Sequence, residues 1–182
     1  MPRYVAFLRA VNVGGRIVKM DALRGHFAAA GFANVETFIA SGNVVFDTKA
    51  KPGPALEAKI EGALKKALGY DVPTFVRSLV EVTTAAERSL FPEKDVAAAG
   101  ALLVGMLKPP VDPAAQKRLN ALDPTQHTFR IVGSELYWLC KVKQSETKLT
   151  PGQIERALGG STTMRSMTSI GKLAAKHCAA GS

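Results

Sequence analysis

The sequence predicts an α+β protein built from two small domains. Strand-like and helix-like hydrophobic periods alternate along the chain, and glycine and proline mark the changes of period. A second alternation of the same kind begins near residue 101. At 182 residues the chain can bury a sizeable core without disulfides or a structural metal. We therefore expect domains at 1–80 and 101–182, joined by a helical connection and linker at 81–100.

The first domain is predicted to have the order β-α-β-β-α-β, which is that of the ferredoxin-like split unit. Gly31 and Gly69 are placed to end its helices, and Pro73 favours an edge position for its last strand. This fold hosts many functions and specifies none. The predicted elements are strand 3–11, loop 12–16, a helix from Asp21 to Gly31, strands 35–40 and 43–48, a helix from Pro54 to Gly69 and strand 71–77.

The second domain is predicted to be a smaller α+β unit that ends in helices. It repeats the element order of the first domain incompletely, without visible repetition of sequence. A helical stretch over 80–89 and a linker around Phe91–Pro92 and 97–100 precede it. Its predicted elements are strand 102–107, helix 113–122, strands 128–132 and 135–142 turning at Gly133–Ser134, and helices around Ile154 and Ile170.

Positive charge is concentrated near the two ends of the sequence. The chain has 24 Lys and Arg against 15 Asp and Glu, a formal net charge of +9. A surface of this kind suits phosphates, nucleic acid or other anions. It also suits a solvated face that only keeps the protein soluble, and the charge pattern alone leaves both interpretations open.

Cysteine use and hydropathy favour a cytoplasmic protein. Two cysteines, Cys140 and Cys178, do not form the dense framework of a small secreted fold. Arg9 interrupts the first apolar run before a signal-peptide core could form. Apolar stretches long enough to span a membrane are absent from the sequence, so no membrane association is expected.

Three segments of the sequence have recognisable patterns: Tyr4–Gly15 with Lys19, Met20 and Leu23; Phe38–Phe46 with its Ser-Gly-Asn-Val core; and Thr162–Leu173. These segments resemble the signatures of the uncharacterised family catalogued as domain of unknown function 1697. The third segment departs from the pattern, since Ser166 stands where Asn is usual and Met167 where an aromatic residue is usual. The resemblance implies an α+β fold and brings no agreed activity with it.

The loop after the first strand is a candidate anion site. Gly14 and Gly15 offer backbone amides beside Arg9, Arg16 and Lys19, just before a helix. The same glycines could serve only the geometry of a strand-to-helix connection. Arg9 is expected on a strand face shared with Val5, Phe7 and Val11, where a charge needs a partner or a ligand.

Two further segments contribute candidate residues. Ser41 and Asn43 flank a glycine at the predicted hairpin tip, where a turn already accounts for them. Arg165 offers a bidentate fork for a phosphate or carboxylate, whereas the hydroxyls of Ser166 and Ser169 suit a helix cap. The complete set of predicted ligand-binding residues is Arg9, Asn12, Gly14, Gly15, Arg16, Lys19, Ser41, Asn43 and Arg165.

Motifs for catalysis, metals or nucleotides are not found. His26, His127 and His177 are isolated, and no Gly-x-Ser-x-Gly elbow or P-loop occurs. We expect no metal and no cofactor. The leading hypothesis is an anion-binding protein for a phosphate- or carboxylate-bearing ligand. The alternatives are a nucleic-acid-binding protein that uses its basic surface, and an enzyme with an interdomain active site.

Overall fold

The computed structural model describes residues 1–12, 14–39 and 42–178, with the side chain of residue 178 excepted. The protein is a mixed α+β structure, and the described residues form two antiparallel four-stranded sheets and seven helices. Two compact units are present: Met1–Thr83 with Leu173–Ser182, and Thr84–Lys172. We refer to them as the first and the second unit.

The strands and helices follow one another in the order β-α-β-β-α-β-α and then α-β-α-β-β-α-β-α. In the first unit and the helix that leaves it, they are β1 Arg3–Leu8, α1 Met20–Ala29, β2 Ala33–Thr37, β3 Asn43–Asp47, α2 Pro54–Leu68, β4 Thr74–Ser78 and α3 Leu79–Glu87. The remainder are α4 Glu93–Ala98, β5 Ala101–Met106, α5 Ala115–Asn120, β6 His127–Val132, β7 Glu135–Cys140, α6 Pro151–Leu158, β8 Thr163–Ser166 and α7 Met167–Cys178.

The first sheet has the order β2-β3-β1-β4, with every neighbouring pair antiparallel. The central strand β1 is buried on both faces, since Val5 and Phe7 are as inaccessible as Ala6 and Leu8. One face packs on α1 and α2 through an aromatic cluster that includes Phe27, Phe32 and Phe46. This packing fixes the sheet and, with it, the ends from which the loops leave.

The first strand is shorter than its alternating sequence predicts. It ends at Leu8, and Ala10 has a φ of 57°, which breaks the alternation of side chains. As a result Val11 packs in the cluster with Tyr4 and Leu8, not on the face of Val5 and Phe7. The predicted common face of Arg9 and Val11 is therefore wrong, because Arg9 already belongs to the loop.

The second sheet has the order β6-β7-β5-β8, which repeats the order of the first sheet strand for strand. Strand β8 was not expected from the sequence, and neither was α4, which lies within the predicted linker. The core of the second unit packs α5 and α6 against Leu103, Phe129 and Trp138. With β8 included, the second unit has a complete β-α-β-β-α-β order.

A short sequence repeat accompanies the repeated topology. Residues 74–78 read Thr-Phe-Val-Arg-Ser and residues 162–166 read Thr-Thr-Met-Arg-Ser. The two arginines occupy equivalent places, since Arg77 pairs with Val5 of β1 and Arg165 with Val104 of β5. Each guanidinium donates through Nη1 to the carbonyl oxygen of the preceding residue, at 2.9 Å. The expectation of no visible repetition was wrong at this segment, which is too short to stand out without the register.

Candidate anion-binding loops

Three connections meet at one end of the first sheet. The Leu8 amide donates to the Gly42 carbonyl and the Arg9 amide to the Pro73 carbonyl, both at 2.9 Å. Gly42 has a φ of 77°, and a Cβ there would lie 3.3 Å from both Cβ and O of Leu8, so glycine permits this close approach. We call the described residues of 9–19, 38–43 and 70–74 the loop edge.

A side-chain hydrogen bond of Asn12 joins the two ends of the connection from β1 to α1. The Asn12 Oδ1 accepts a hydrogen bond of 2.7 Å from the Val18 amide, which closes a loop over the residues between them. Gly14 and Gly15 lie in this loop with φ of 65° and 81°, and both are exposed. Glycines in an exposed turn can present successive backbone amides to an anion.

Arg16 and Lys19 flank the entry to α1 and are exposed. The Arg16 guanidinium carbon lies 4.2 Å from the centroid of the Tyr70 ring, and the Tyr70 hydroxyl donates to the Val11 carbonyl at 3.4 Å. Stacking of this kind orients a guanidinium while its edge stays available to a ligand. Lys19 is the N-cap residue of α1 and makes no side-chain cap.

The remaining predicted residues of the first unit have structural roles that the sequence only partly indicated. Arg9 is half-buried at the end of β1. Asn43 is buried at the start of β3, where its Nδ2 donates to the Phe38 carbonyl at 2.9 Å and ties the hairpin. Ser41 lies outside the described residues. The loop edge thus contains Arg9, Asn12, the two glycines and Asn43. The side-chain amide of Asn43, however, is hydrogen-bonded to the backbone of the hairpin.

Arg165 lies in the second unit and is enclosed there. It is 8% exposed in β8, and its Nη1 donates to the Thr163 hydroxyl at 2.8 Å and to the Met164 carbonyl. Burial lowers the pKa of the Arg165 guanidinium to about 10, so it stays charged at neutral pH. Among the hydroxyls near it, that of Ser166 caps a helix as the sequence predicts. The Ser166 Oγ accepts a hydrogen bond from the Ser169 amide at the start of α7.

The structure also shows a polar pair that the sequence did not indicate. Arg88, just after α3, and Tyr137, in β7, both line a cavity of about 430 Å³ in the second unit. Tyr137 sits within an apolar run and Arg88 in a polar connection, so neither carries a local pattern. Only tertiary packing places them together.

Residues 1–137 match the family described as "Protein of unknown function (DUF1697)". The chain belongs to this family. The DUF1697 match includes the two N-terminal segments that suggested it, and with them the whole loop edge. The segment 162–173 lies beyond the matched residues, so its departures at Ser166 and Met167 stay a comparison of sequence patterns alone.

A solved structure shares the fold of this DUF1697 chain. It is described as the structure of conserved bacterial protein SP0830 from Streptococcus pneumoniae. The TM-score is 0.72 at 20% sequence identity, and the match covers 96% of this chain and 99% of the other. No curated protein matches the chain. Similarity at this level of identity concerns the fold alone.

Metal-binding and membrane-spanning features are absent from the part of the chain that the structure describes. No group of three or more His, Cys, Asp or Glu is arranged there to hold a metal ion. None of the described helices combines the length and apolar character needed to cross a bilayer.

Proposed function

We propose that the protein binds a small phosphate- or carboxylate-bearing ligand at the loop edge of the first unit. The observation that carries the proposal is the pair of exposed cations, Arg16 and Lys19, beside two left-handed glycines at the start of α1. Cations and backbone amides that converge on a helix N-terminus attract anions, because the unpaired amides and the helix dipole add to the charge.

The charges around the loop edge support the same proposal. The acidic side chains nearby already have partners: Asp21 pairs with Arg24, Asp71 with Lys65 at 3.0 Å, and Glu61 accepts from the Thr74 amide at 2.8 Å. Within residues 1–12, 14–39 and 42–178, neither Arg16 nor Lys19 has a carboxylate partner. Their charges are therefore available to an external anion.

The loop is also partly preorganised for binding. The hydrogen bond from Val18 to Asn12 and the stacking of Arg16 on Tyr70 restrict the loop before a ligand arrives. Restricting a loop in advance reduces the entropy that binding must overcome. A ligand with two or three oxyanions, such as pyrophosphate, could contact both cations and the glycine amides together.

Calorimetric titration with pyrophosphate tests the proposal. We expect the double variant Arg16→Gln with Lys19→Gln to lose at least about tenfold in affinity, since each charged hydrogen bond contributes roughly 1.5–3 kcal/mol. The matched control is Lys49→Gln with Lys51→Gln, which removes the same charge from exposed residues at the opposite end of the same sheet. Equal loss of pyrophosphate affinity in both double variants would contradict a site at the loop edge. The binding would then depend only on the net positive charge of the protein.

Nucleic-acid binding is the alternative that the same variants distinguish. Labelled single-stranded and duplex oligonucleotides, titrated by fluorescence anisotropy, would show a steep dependence of affinity on salt if many phosphates are contacted. Tight oligonucleotide binding that both double variants weaken equally would favour a diffuse basic surface. We expect weak oligonucleotide binding and localised pyrophosphate binding.

We also propose that residues 1–80 form a ferredoxin-like domain and that residues 101–182 form a second, smaller α+β domain, connected through 81–100. These bounds follow the order of the elements and differ from the compact units, in which residues 84–100 belong to the second unit and Leu173–Ser182 to the first. The strand order β2-β3-β1-β4 and its repetition as β6-β7-β5-β8 support this proposal. We place the protein in the cytoplasm. The buried thiol of Cys140, unpaired among the described residues, is compatible with a reducing compartment.

A further inference from the structure

Two isoleucines are exposed on the loop edge of the first unit. Ile17, in the connection from β1 to α1, is 86% exposed, more than any other large apolar side chain in the part of the chain that the structure describes. Ile39, in the connection from β2 to β3, is 45% exposed. Single exposed apolar residues are common on protein surfaces, but two on one edge form a patch that calls for a partner.

The two loops that carry these isoleucines contact each other. A Cβ at Gly42, in the loop of Ile39, would lie 3.6 Å from the Cγ2 of Val11. Val11 adjoins Asn12, whose Oδ1 accepts a hydrogen bond from the amide that follows Ile17. The segments that carry Ile17 and Ile39 are therefore neighbours in space.

The backbone of Ile39 has a conformation that a β-branched residue rarely adopts. Its φ is 58°, in the left-handed region, where a branched side chain crowds the backbone. Glycine or asparagine would occupy this position at lower cost. Packing within the unit does not account for an isoleucine here, because the side chain is exposed. Strained residues of this kind concentrate at functional sites.

Positive charge accompanies the two isoleucines. Among its described residues the loop edge has three basic side chains and one acidic side chain, which are Arg9, Arg16, Lys19 and Asp71. Arg16 and Lys19 are exposed on either side of Ile17 in the sequence, and the Asp71 carboxylate is already paired with a lysine. An apolar side chain between two cations matches an anionic bilayer, where phosphates lie outside the acyl chains.

A bilayer fits this surface better than a protein partner does. A stable protein interface buries about 800 Å² on each partner, far more than two isoleucine side chains supply. A fluid acyl layer also accommodates a single protruding side chain without a matching pocket. The cations around Ile17 have the sign that anionic lipids attract.

We propose that the loop edge binds the surface of an anionic phospholipid bilayer, with Ile17 and Ile39 at the acyl boundary and Arg16 and Lys19 on the phosphates. This inference rests on the proposed function, because it makes the phosphate-bearing ligand a lipid headgroup instead of a free anion. The sequence-based expectation of no membrane association concerned spanning segments, whereas binding to a bilayer surface needs none.

Sedimentation of the full chain with vesicles tests the proposal. The vesicles contain phosphatidylcholine alone or with about 30% phosphatidylserine, and the soluble counterpart, measured by calorimetry, is glycerophosphoserine, the same headgroup without acyl chains. We expect the anionic vesicles to bind at least about tenfold more tightly, per accessible lipid, than the neutral vesicles or the free headgroup. Failure to bind anionic vesicles, or equal affinity for the free headgroup, would overturn the proposal.

Matched variants test the role of the isoleucines. Ile17→Ser should lower the affinity for anionic vesicles by at least about tenfold, and Ile39→Ser by a smaller factor because that side chain is less exposed. The control is Val80→Ser, which removes a side chain that is 75% exposed in α3, the helix that follows the opposite end of β4. Equal loss in Ile17→Ser and Val80→Ser would contradict a bilayer contact at the loop edge.

Pyrophosphate titration of the same proteins separates this inference from the proposed function. Both isoleucine variants should bind pyrophosphate as the parent does, since they keep Arg16 and Lys19. Arg16→Gln with Lys19→Gln should weaken both pyrophosphate and anionic vesicles by at least about tenfold. Pyrophosphate binding without vesicle binding would overturn the bilayer contact alone. Binding of both that this double variant leaves unchanged would overturn the anion site as well.

Tryptophan fluorescence measures insertion directly. Ile17→Trp should shift its emission to the blue on anionic vesicles and be quenched by brominated acyl chains, whereas Val80→Trp should not change. Trp138, the only native tryptophan, is buried in the second unit and supplies a constant background. Vesicle binding without quenching in Ile17→Trp would show that this side chain stays outside the acyl region, and it would overturn the proposal.

Discussion

His127 is a buried histidine whose two ring nitrogens both have partners. Its Nδ1 accepts from the Trp138 Nε1 at 3.1 Å, and its Nε2 lies 3.0 Å from the Thr147 hydroxyl. Because the indole nitrogen can only donate, His127 must carry its proton on Nε2 and donate to Thr147. A second proton on Nδ1 would break the bond to Trp138, so the neutral ring is the one that fits.

Burial lowers the pKa of His127 below its ordinary value, with Asp123 acting weakly in the opposite direction. The unfolded chain therefore takes up a proton before the folded protein does. The stability that His127 contributes is complete above the unfolded pKa near 6.5 and is lost as the pH falls through the lower folded pKa.

Urea unfolding followed by the fluorescence of Trp138, the only tryptophan in the chain, checks this linkage. We expect the unfolding free energy to fall between about pH 7.5 and about pH 5, and to fall less in His127→Gln. His177 also has a pKa lowered by burial, so part of the loss should remain. An identical fall in parent and variant would assign the pH dependence to other groups.

Prediction from the sequence succeeds at the residue scale where a residue's environment is local. One exposed loop contains Gly14, Gly15, Arg16 and Lys19, because the paired glycines favour a turn at this point of the chain. Asn43 was named as a candidate, but its amide is used by the hairpin. Arg88 and Tyr137 could not be named, since the cavity between them is made by elements far apart in sequence.

At the scale of elements, one glycine fixes how β5 begins. The Gly100 amide donates to the Cys140 carbonyl at 2.9 Å, and a Cβ at Gly100 would lie 2.1 Å from the carbonyl carbon of Val142. The obstacle is backbone and cannot rotate away. The start of β5 and the end of β7 therefore approach more closely than any other residue would permit.

Gly100→Ala should destabilise the protein by about 2–4 kcal/mol, because the two backbones must separate. The control is Gly62→Ala in α2, where a Cβ meets nothing within 4 Å. That change should stabilise the protein by about 0.5–1 kcal/mol through helix propensity. Denaturant titration measures both, and a small effect of Gly100→Ala would mean that the connection yields at low cost.

The alternating periods of the sequence predicted the first six elements in the correct order. Two later elements, β8 and α4, were not predicted. Strand β8 has only four residues, rich in hydroxyls, at the edge of its sheet, so it shows no alternation. Helix α4 has six residues and none of them is buried, so it shows no apolar face. Both are stabilised by their surroundings more than by their own pattern.

At the scale of the whole molecule, the excess of positive charge opposes compactness. A net charge of +9 repels itself more in the folded protein than in the expanded chain, and salt screens that repulsion. Composition alone supports this prediction. The positions of these charges on the folded surface, in contrast, could be determined only from the structure.

We expect the thermal midpoint to rise by a few degrees between about 20 and about 300 mM sodium chloride. At equal ionic strength, pyrophosphate should raise it further, because a ligand of the native state stabilises by mass action. The additional rise should vanish in Arg16→Gln with Lys19→Gln and persist in Lys49→Gln with Lys51→Gln. Loss of the additional rise in both double variants would speak against a localised site.

The central position of β1 in its sheet has a consequence for folding during synthesis. Tyr4 pairs with Ser78, so the first strand to be synthesised needs a neighbour that appears some seventy residues later. Until β4 has been synthesised, β1 with Val5 and Phe7 has one unpaired edge. Such an edge is prone to pair with strands of other chains. The second sheet repeats the delay, because β5 waits for β8. Each sheet can therefore be completed only after its own Thr-x-x-Arg-Ser segment has been synthesised, and the first unit also needs the part of α7 that begins at Leu173.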